Sequence, residues 1–235
     1  MNFATHTKIG VIGGVSWHST ALYYRHINVL YQQRKGKQHS APLLLNSLDF
    51  QWVLDGYKKK SKFLPRLKQH LRFLDYANCS PMLIASNTVH DAFDFLQNAF
   101  PKSHWLHIAD CVEHHCKEKG FERIGILGTK YTMRNSFYRS RFSNIETIIP
   151  TKHIAHLDQI IGELVTGKST PQSQQKLVEI AGSLQTEGAQ AVALACTELP
   201  LLLQQEDCEV PLIDTAYLHC QMGVDMYLEQ TNRRS

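Results

Sequence analysis

The sequence predicts an α/β fold in two halves, each a parallel sheet with helices on its faces. Three observations predict it. From Lys8 onward, short β-rich apolar runs alternate with longer helix-like stretches. The alternation starts again at Arg123. Each half also has an apolar run that ends in a small polar or nucleophilic residue just before a helix start: Ala85-Ser86-Asn87-Thr88 in the first and Ala195-Cys196-Thr197-Glu198 in the second. Parallel strands cannot be joined by a tight turn, so an alternating β-α order is what a parallel sheet requires.

In chain order, residues 8–12 read as a strand ending in Gly13-Gly14, and 19–33 as a helix. Residues 42–48 (PLLLNSL) are a second strand, 62–76 an amphipathic helix, and 82–85 a third strand. Residues 87–99 then read as a helix and 105–108 as a strand. After a helix over 110–120, the second half gives a strand at 123–127, a helix at 133–142, a weaker strand at 146–149, and helices at 156–165 and 172–186. A strand at 191–195, a short helix or turn over 198–205, a last strand at 211–213 and a closing helix at 217–229 complete it. The domain division expected is 1–108 plus 211–235 for the first domain and 109–210 for the second.

The 235 residues are 43% hydrophobic and 20% charged, enough apolar content to bury a core and against intrinsic disorder. No apolar run approaches the roughly 18–20 residues of a membrane span, so no membrane partner is expected. The first seven residues lack a basic start followed by an apolar stretch, so no export signal is read and a cytoplasmic location is expected. The six cysteines are then expected to be reduced thiols. The net charge of +4 is mildly basic. Lys58-Lys59-Lys60, the one tight basic run, reads as a solvated face, and no nucleic-acid partner is expected. Cys111, His114, His115 and Cys116 resemble metal spacing, but on a helix the two cysteines point to different parts of the surface, and no metal is expected. Gly10-Val11-Ile12-Gly13-Gly14 allows close backbone approach but is not a dinucleotide fingerprint, and no Walker motif occurs, so no cofactor is expected.

The chemistry concentrates at the two strand-end turns. In open α/β sheets, ligands bind at the carboxyl ends of the strands, and backbone N–H groups at helix starts favour carboxylates. Cys196 is the leading candidate. As a thiolate it is a competent base or nucleophile, and a helix start with neighbouring donors is expected to lower its pKa. Glu198 is placed to orient a group or to stabilise a cation. Ser86 reads as a helix cap or a hydroxyl donor, and no G-x-S-x-G surrounds it, so a hydrolase elbow is not supported. Asn87 and Thr88 offer donors to a bound carboxylate.

Gly13-Gly14 with Ser16-Trp17 and Ser19-Thr20, Ala85-Ser86-Asn87-Thr88-Val89-His90, Leu127-Gly128-Thr129 with Tyr131-Thr132-Met133, and Ala195-Cys196-Thr197-Glu198-Leu199 together resemble the aspartate/glutamate racemases. Tyr23-Tyr24-Arg25, His39-Ser40-Ala41-Pro42 and Leu106-His107-Ile108-Ala109-Asp110 resemble the branch specific for L-aspartate and L-glutamate. The resemblance implies two pseudo-symmetric Rossmann-like domains with the active site in the interdomain cleft. It implies a cofactor-independent reaction on an acidic amino acid, and a homodimer. One residue removes the α-proton and another returns it from the opposite face.

Most members carry cysteine in both motifs, whereas here the first is Ser86. A serine hydroxyl is far less acidic than a thiol, so the expected site is asymmetric, with Cys196 as base and Ser86 as opposite-face acid. Asn87, Thr88, Thr132, Thr197 and Glu198 complete the expected substrate-binding set. An arginine expected after Asp49-Phe50-Gln51-Trp52 is missing, Val15 stands where methionine is usual, and Lys168 lies just beyond a helix where some members place a lysine. Two alternatives remain at this point. One is a single-cysteine decarboxylase resembling the arylmalonate decarboxylases. The other is a binder of acidic amino acids in which a natural or engineered serine disables proton transfer.

Overall fold

The computed structural model of the chain describes residues 7–233, so the reading of the first seven residues as lacking an export signal falls almost wholly outside them. The chain divides into two compact units, Met1–His107 with His219–Ser235, and Ile108–Leu218. Among the described residues, no helix is long and apolar enough to cross a membrane.

The first unit is built on β1 (Lys8–Gly13), α1 (Trp17–Lys35), β2 (Leu43–Ser47), α2 (Phe50–Tyr57), α3 (Lys60–Tyr76), β3 (Cys79–Ile84) and α4 (Phe93–Ala99), with a 3-10 turn at Thr88–Ala92. The strands are parallel in the order β2-β1-β3. β1 is central, which is why Ile9, Val11 and Ile12 are all buried. The heptad-like spacing of Phe63, Leu67, Leu71 and Leu74 turns one face of α3 into the core.

Ile12 lies opposite both Asn46 and Ile84, so the turns after β1 and β3 emerge at one edge of the sheet. At that edge Gly14 has φ +87°, and a Cβ there would meet the Leu48 carbonyl oxygen at 1.9 Å. Gly14→Ala is therefore expected to destabilise the first unit by more than about 1 kcal/mol, read as a lower urea midpoint. An unchanged midpoint would show that this turn relaxes freely.

The second unit holds α5 (Ile108–Lys119), β4 (Arg123–Gly128), α6 (Lys130–Arg134), α7 (Ser136–Arg139), β5 (Glu146–Ile148), α8 (Ile154–Val165), α9 (Pro171–Thr186), β6 (Ala191–Ala195) and β7 (Leu212–Asp214). Its strands are parallel in the order β5-β4-β6-β7. Leu177, Ile180, Ala181 and Leu184 of α9 pack into the core beside the wholly buried β6. α10 (Thr215–Asn232) starts in this unit and belongs to the first from His219 onward.

Four local expectations change. The chain returns to the first unit at His219 rather than at residue 211, because β7 pairs with β6 (Ala193 opposite Ile213) and so belongs to the second sheet. The strand expected at 105–108 reduces to one bridge between Met82 and Trp105, because α5 already begins at Ile108. The helix expected over 133–142 breaks at Asn135, which takes an extended conformation (φ −89°, ψ 149°) while its side chain donates to the Tyr131 carbonyl at 2.8 Å. α2 is an addition to the expected elements. Asp49 caps it by accepting the Trp52 N–H at 2.8 Å, and Phe63 fills the space a side chain at Gly56 would need.

Candidate active site

Ser86, Asn87 and Thr88 come directly after β3. Ser86 and Asn87 are buried and Thr88 is half-buried. The Ser86 N–H donates to the Ile84 carbonyl at 2.8 Å, and its Oγ accepts the Val89 N–H at 3.4 Å. The hydroxyl thus sits inside the mouth of the 3-10 turn, where an N–H points at the oxygen. Lys60, the first residue of α3, holds the turn from outside through an ion pair with Asp91 at 2.6 Å. Lys58 pairs with Asp55 at 2.7 Å, so two members of the basic run are engaged within the fold. At the neighbouring turn, the Gly14 N–H donates to Thr20 Oγ1 at 2.7 Å, and that hydroxyl donates to the Ser16 carbonyl at 2.8 Å.

Beneath Ser86 lies a cluster of buried rings. His90 Nδ1 lies 2.7 Å from the Ser86 carbonyl and so must carry its proton and donate. His219 Nε2 donates to the Leu106 carbonyl at 2.9 Å, which leaves Nδ1 to accept from Tyr23 Oη at 2.8 Å. The His90 ring lies 4.6 Å from that of His107 and 5.4 Å from that of His219. Tyr23 and the three histidines stand far apart in the sequence, and only the fold brings them together.

Burial, reinforced by His90, pushes the pKa of His219 well below the ordinary histidine value. The folded state therefore keeps this ring neutral while the unfolded chain takes up a proton near pH 6.5. Stability is expected to fall as pH drops below about 6.5, by up to about 1.4 kcal/mol per pH unit for this group. The check is the urea midpoint measured from pH 8 to 5, beside His219→Gln, which should flatten the slope. An equally steep fall in the variant would assign the effect elsewhere.

In the second unit Cys196 comes directly after β6 and is 6% exposed. Its Sγ–H donates to Glu198 Oε2 at 3.2 Å, and Thr197 Oγ1 donates to the same oxygen at 3.1 Å. Both partners are buried. The expected lowering of the thiol pKa does not occur. Burial pushes it well above the ordinary thiol value, and the Glu198 charge adds to the rise, with a smaller contribution from Asp158. The next segment is a three-residue 3-10 turn, Leu199–Leu201, rather than a helix whose dipole would favour a thiolate. The resting group is therefore a neutral thiol with its proton directed at a carboxylate.

Thr132, opposite on the neighbouring strand end, is fully buried; its N–H donates to Thr129 Oγ1 at 3.1 Å and its Oγ1 lies 3.0 Å from the same oxygen. β4 and β6 pair with Gly128 opposite Ala195, so the Thr129–Thr132 turn and the Cys196–Glu198 turn share one sheet edge. Sequence reading missed Asp158 on α8, which accepts the Lys130 N–H at 2.9 Å and acts electrostatically on Cys196. Only the packing of α8 against α6 reveals it.

Cys111 and Cys116 on α5 are core residues, while His114 reaches outward to Glu118 at 3.5 Å. Among the described residues, no group of three or more histidine, cysteine or acidic side chains is placed to hold a metal ion. Cys208 is half-buried, in contrast to the five other cysteines, which are buried.

Two parallel sheets whose strand-end turns carry S-N-T in one and C-T-E in the other define an α/β racemase-type protein. The sequence profile of the Asp/Glu/hydantoin racemase family matches residues 12–223, and the chain belongs to that family. A Yersinia pestis protein solved as a candidate Asp/Glu racemase is 33% identical, with a TM-score of 0.87 over 95% of this chain and 100% of that one. The glutamate racemase of Fusobacterium nucleatum is 23% identical over 162 residues, 68% of this chain and 61% of that protein. The broad-specificity amino-acid racemase RacX of Bacillus subtilis is 27% identical over 148 residues, 60% of this chain and 62% of that protein. The matched stretches thus span about three fifths of the length of these curated relatives.

Proposed function

We propose that the chain racemises an acidic amino acid, aspartate or glutamate, without a cofactor, by removing and returning the α-proton. The observation that carries this reading is the buried Cys196 thiol with its proton directed at Glu198 Oε2 across 3.2 Å. Membership of the racemase family supports it.

In the proposed reaction the proton on Sγ passes to the Glu198 carboxylate, leaving a thiolate and a neutral acid. During this transfer the pair keeps one proton and one negative charge, so the two groups titrate as a unit; once the α-proton has been taken the pair holds two protons, and Glu198 returns its own to solvent. The thiolate then takes the α-proton of the L-substrate. The electron pair left at Cα is delocalised into the substrate carboxylate, where Asn87, Thr88 and Thr132 supply hydrogen-bond donors while the Thr197 hydroxyl holds Glu198 in place. Ser86 donates its hydroxyl proton to the opposite face of Cα, giving the D-product. The charge this leaves on Oγ faces the Val89 N–H, and solvent restores the proton. A buried environment strengthens each of these interactions.

The test is proton NMR in D₂O with each enantiomer of aspartate and glutamate. Exchange of the α-proton with inversion supports racemisation. A protein whose melting temperature rises with these ligands but which never exchanges the proton is a binder only. Turnover of substituted malonates instead would indicate a decarboxylase. Activity is expected to survive EDTA and carbonyl reagents, and its restoration by one added metal after chelation would overturn the cofactor-free reading.

A further inference from the structure

The second unit contains a cavity of about 460 Å³ lined by Lys130, Arg134 and Lys152 together with Asp158. Three cationic side chains therefore share a concave surface with one carboxylate. None of the three forms an ion pair among the described residues, whereas Lys58, Lys60, Lys117, Arg123, Arg141 and Lys176 all do. Asp158 is partly engaged already, since its Oδ1 accepts the backbone N–H of Lys130. The cavity is therefore electropositive and poorly neutralised.

Its position is set by the sheet. Lys130 stands two residues after β4, and Cys196 stands directly after β6, on paired neighbouring strands. Asp158 connects the two places, because it lines the cavity and its charge also reaches the Cys196 thiol. The cavity thus opens at the same sheet edge as the thiol. Here the fold gathers cations that no sequence motif announced.

We propose that this cavity is an anion-receiving vestibule, in which Lys130, Arg134 and Lys152 attract the carboxylates of the acidic amino acid and concentrate it beside Cys196. The inference rests on the acidic-substrate reading above. An acidic amino acid carries a net negative charge at neutral pH, and a cationic concave surface raises its local concentration. The effect is electrostatic at a distance, so salt weakens it within a screening length of about 8 Å at physiological ionic strength.

The test compares wild type with the triple variant Lys130→Gln, Arg134→Gln, Lys152→Gln at about 0.02 M and about 0.3 M salt, chosen to span that screening range. The KM for L-aspartate and L-glutamate should rise about tenfold in the variant at low salt, within the range such fields produce, and the gap should close at high salt. An unchanged KM at low salt, or a rise that salt leaves undiminished, overturns the proposal. A second measurement does not depend on turnover: succinate should raise the melting temperature of wild type more than that of the variant at low salt. Equal shifts overturn the vestibule whatever the activity. Unequal shifts in a protein that never exchanges the α-proton of either acidic amino acid keep the anion site and sink the substrate reading instead. All three residues are exposed, and should the triple variant fail to fold, Lys152→Gln alone carries both measurements with a smaller change.

Discussion

Cys196→Ala is expected to abolish α-proton exchange and racemisation from the L-enantiomer, a loss of about a thousandfold or more, in line with removal of a positioned base. The variant should keep the wild-type circular dichroism, because the lost sulfur sits at the end of a strand whose ladder is backbone-made. Full exchange from L-aspartate and L-glutamate in a folded Cys196→Ala protein would remove the thiol from the reaction. The pH profile adds a second signature. Because burial and Glu198 hold the thiol protonated and the proton moves within the Cys196–Glu198 pair, exchange by wild type should stay level through the ordinary thiol range, near pH 8.5, where a lone thiol base would give a rise. Alkylation of Cys196 by iodoacetamide should be slow at neutral pH for the same reason, and substrate should slow it further. Glu198→Gln separates the roles of the carboxylate. It removes the charge that raises the thiol pKa, so alkylation should move to lower pH, while racemisation falls because the proton acceptor is gone. Wild-type racemisation by Glu198→Gln would exclude the proposed proton transfer.

Ser86→Cys is expected to raise D-to-L turnover more than L-to-D turnover. The serine hydroxyl does not ionise usefully near neutral pH, whereas a thiol there has an accessible thiolate form. The change adds little volume, and the Val89 N–H that faces Oγ remains to face Sγ. Each tenfold gain corresponds to about 1.4 kcal/mol of barrier lowering. L-to-D turnover changes less, since Cys196 already takes that proton. Ser86→Ala should lose D-to-L activity and most inversion from the L-substrate, yet keep some exchange without inversion, because Cys196 can return a solvent-derived proton to the face it came from. Initial rates in both directions by chiral chromatography decide the matter. An equal rise in both directions, or none in a folded Ser86→Cys protein, would mean that position 86 does not face the D-enantiomer's proton.

Much of this architecture is legible before folding, for identifiable reasons. β1, β3 and β6 are buried on both faces, so they read as continuous apolar runs, and α3 reads from its four-residue spacing. α2 is harder to read, although Asp49 caps it and Phe50, Val53, Leu54 and Tyr57 have helical spacing; it is only two turns long and carries Gly56, a poor helix former. The allegiance of β7 is not legible, because which neighbour a short strand joins is decided by packing. Both strand-end turns are legible as motifs, yet the state of the Cys196 thiol runs opposite to the expectation. Sequence shows a residue's neighbours along the chain and not how deeply it is buried. The His90, His107 and His219 cluster and the Asp158 link are likewise long-range, and no local pattern carries them.

The distribution of thiols has a practical consequence for labelling. Because five cysteines are buried and Cys208 is half-buried, a bulky maleimide fluorophore should load to about one dye per native chain, at Cys208. Burial and Asp207 raise even that thiol, so loading should need mildly alkaline buffer. The same ranking makes mass shift a misleading proxy for inactivation, since the first adduct on the wild-type protein falls on Cys208. A Cys208→Ser chain removes that silent adduct and leaves Cys196, 6% exposed against 1% or less for the other four, as the most accessible thiol, so that stoichiometry and loss of turnover can be compared at one residue.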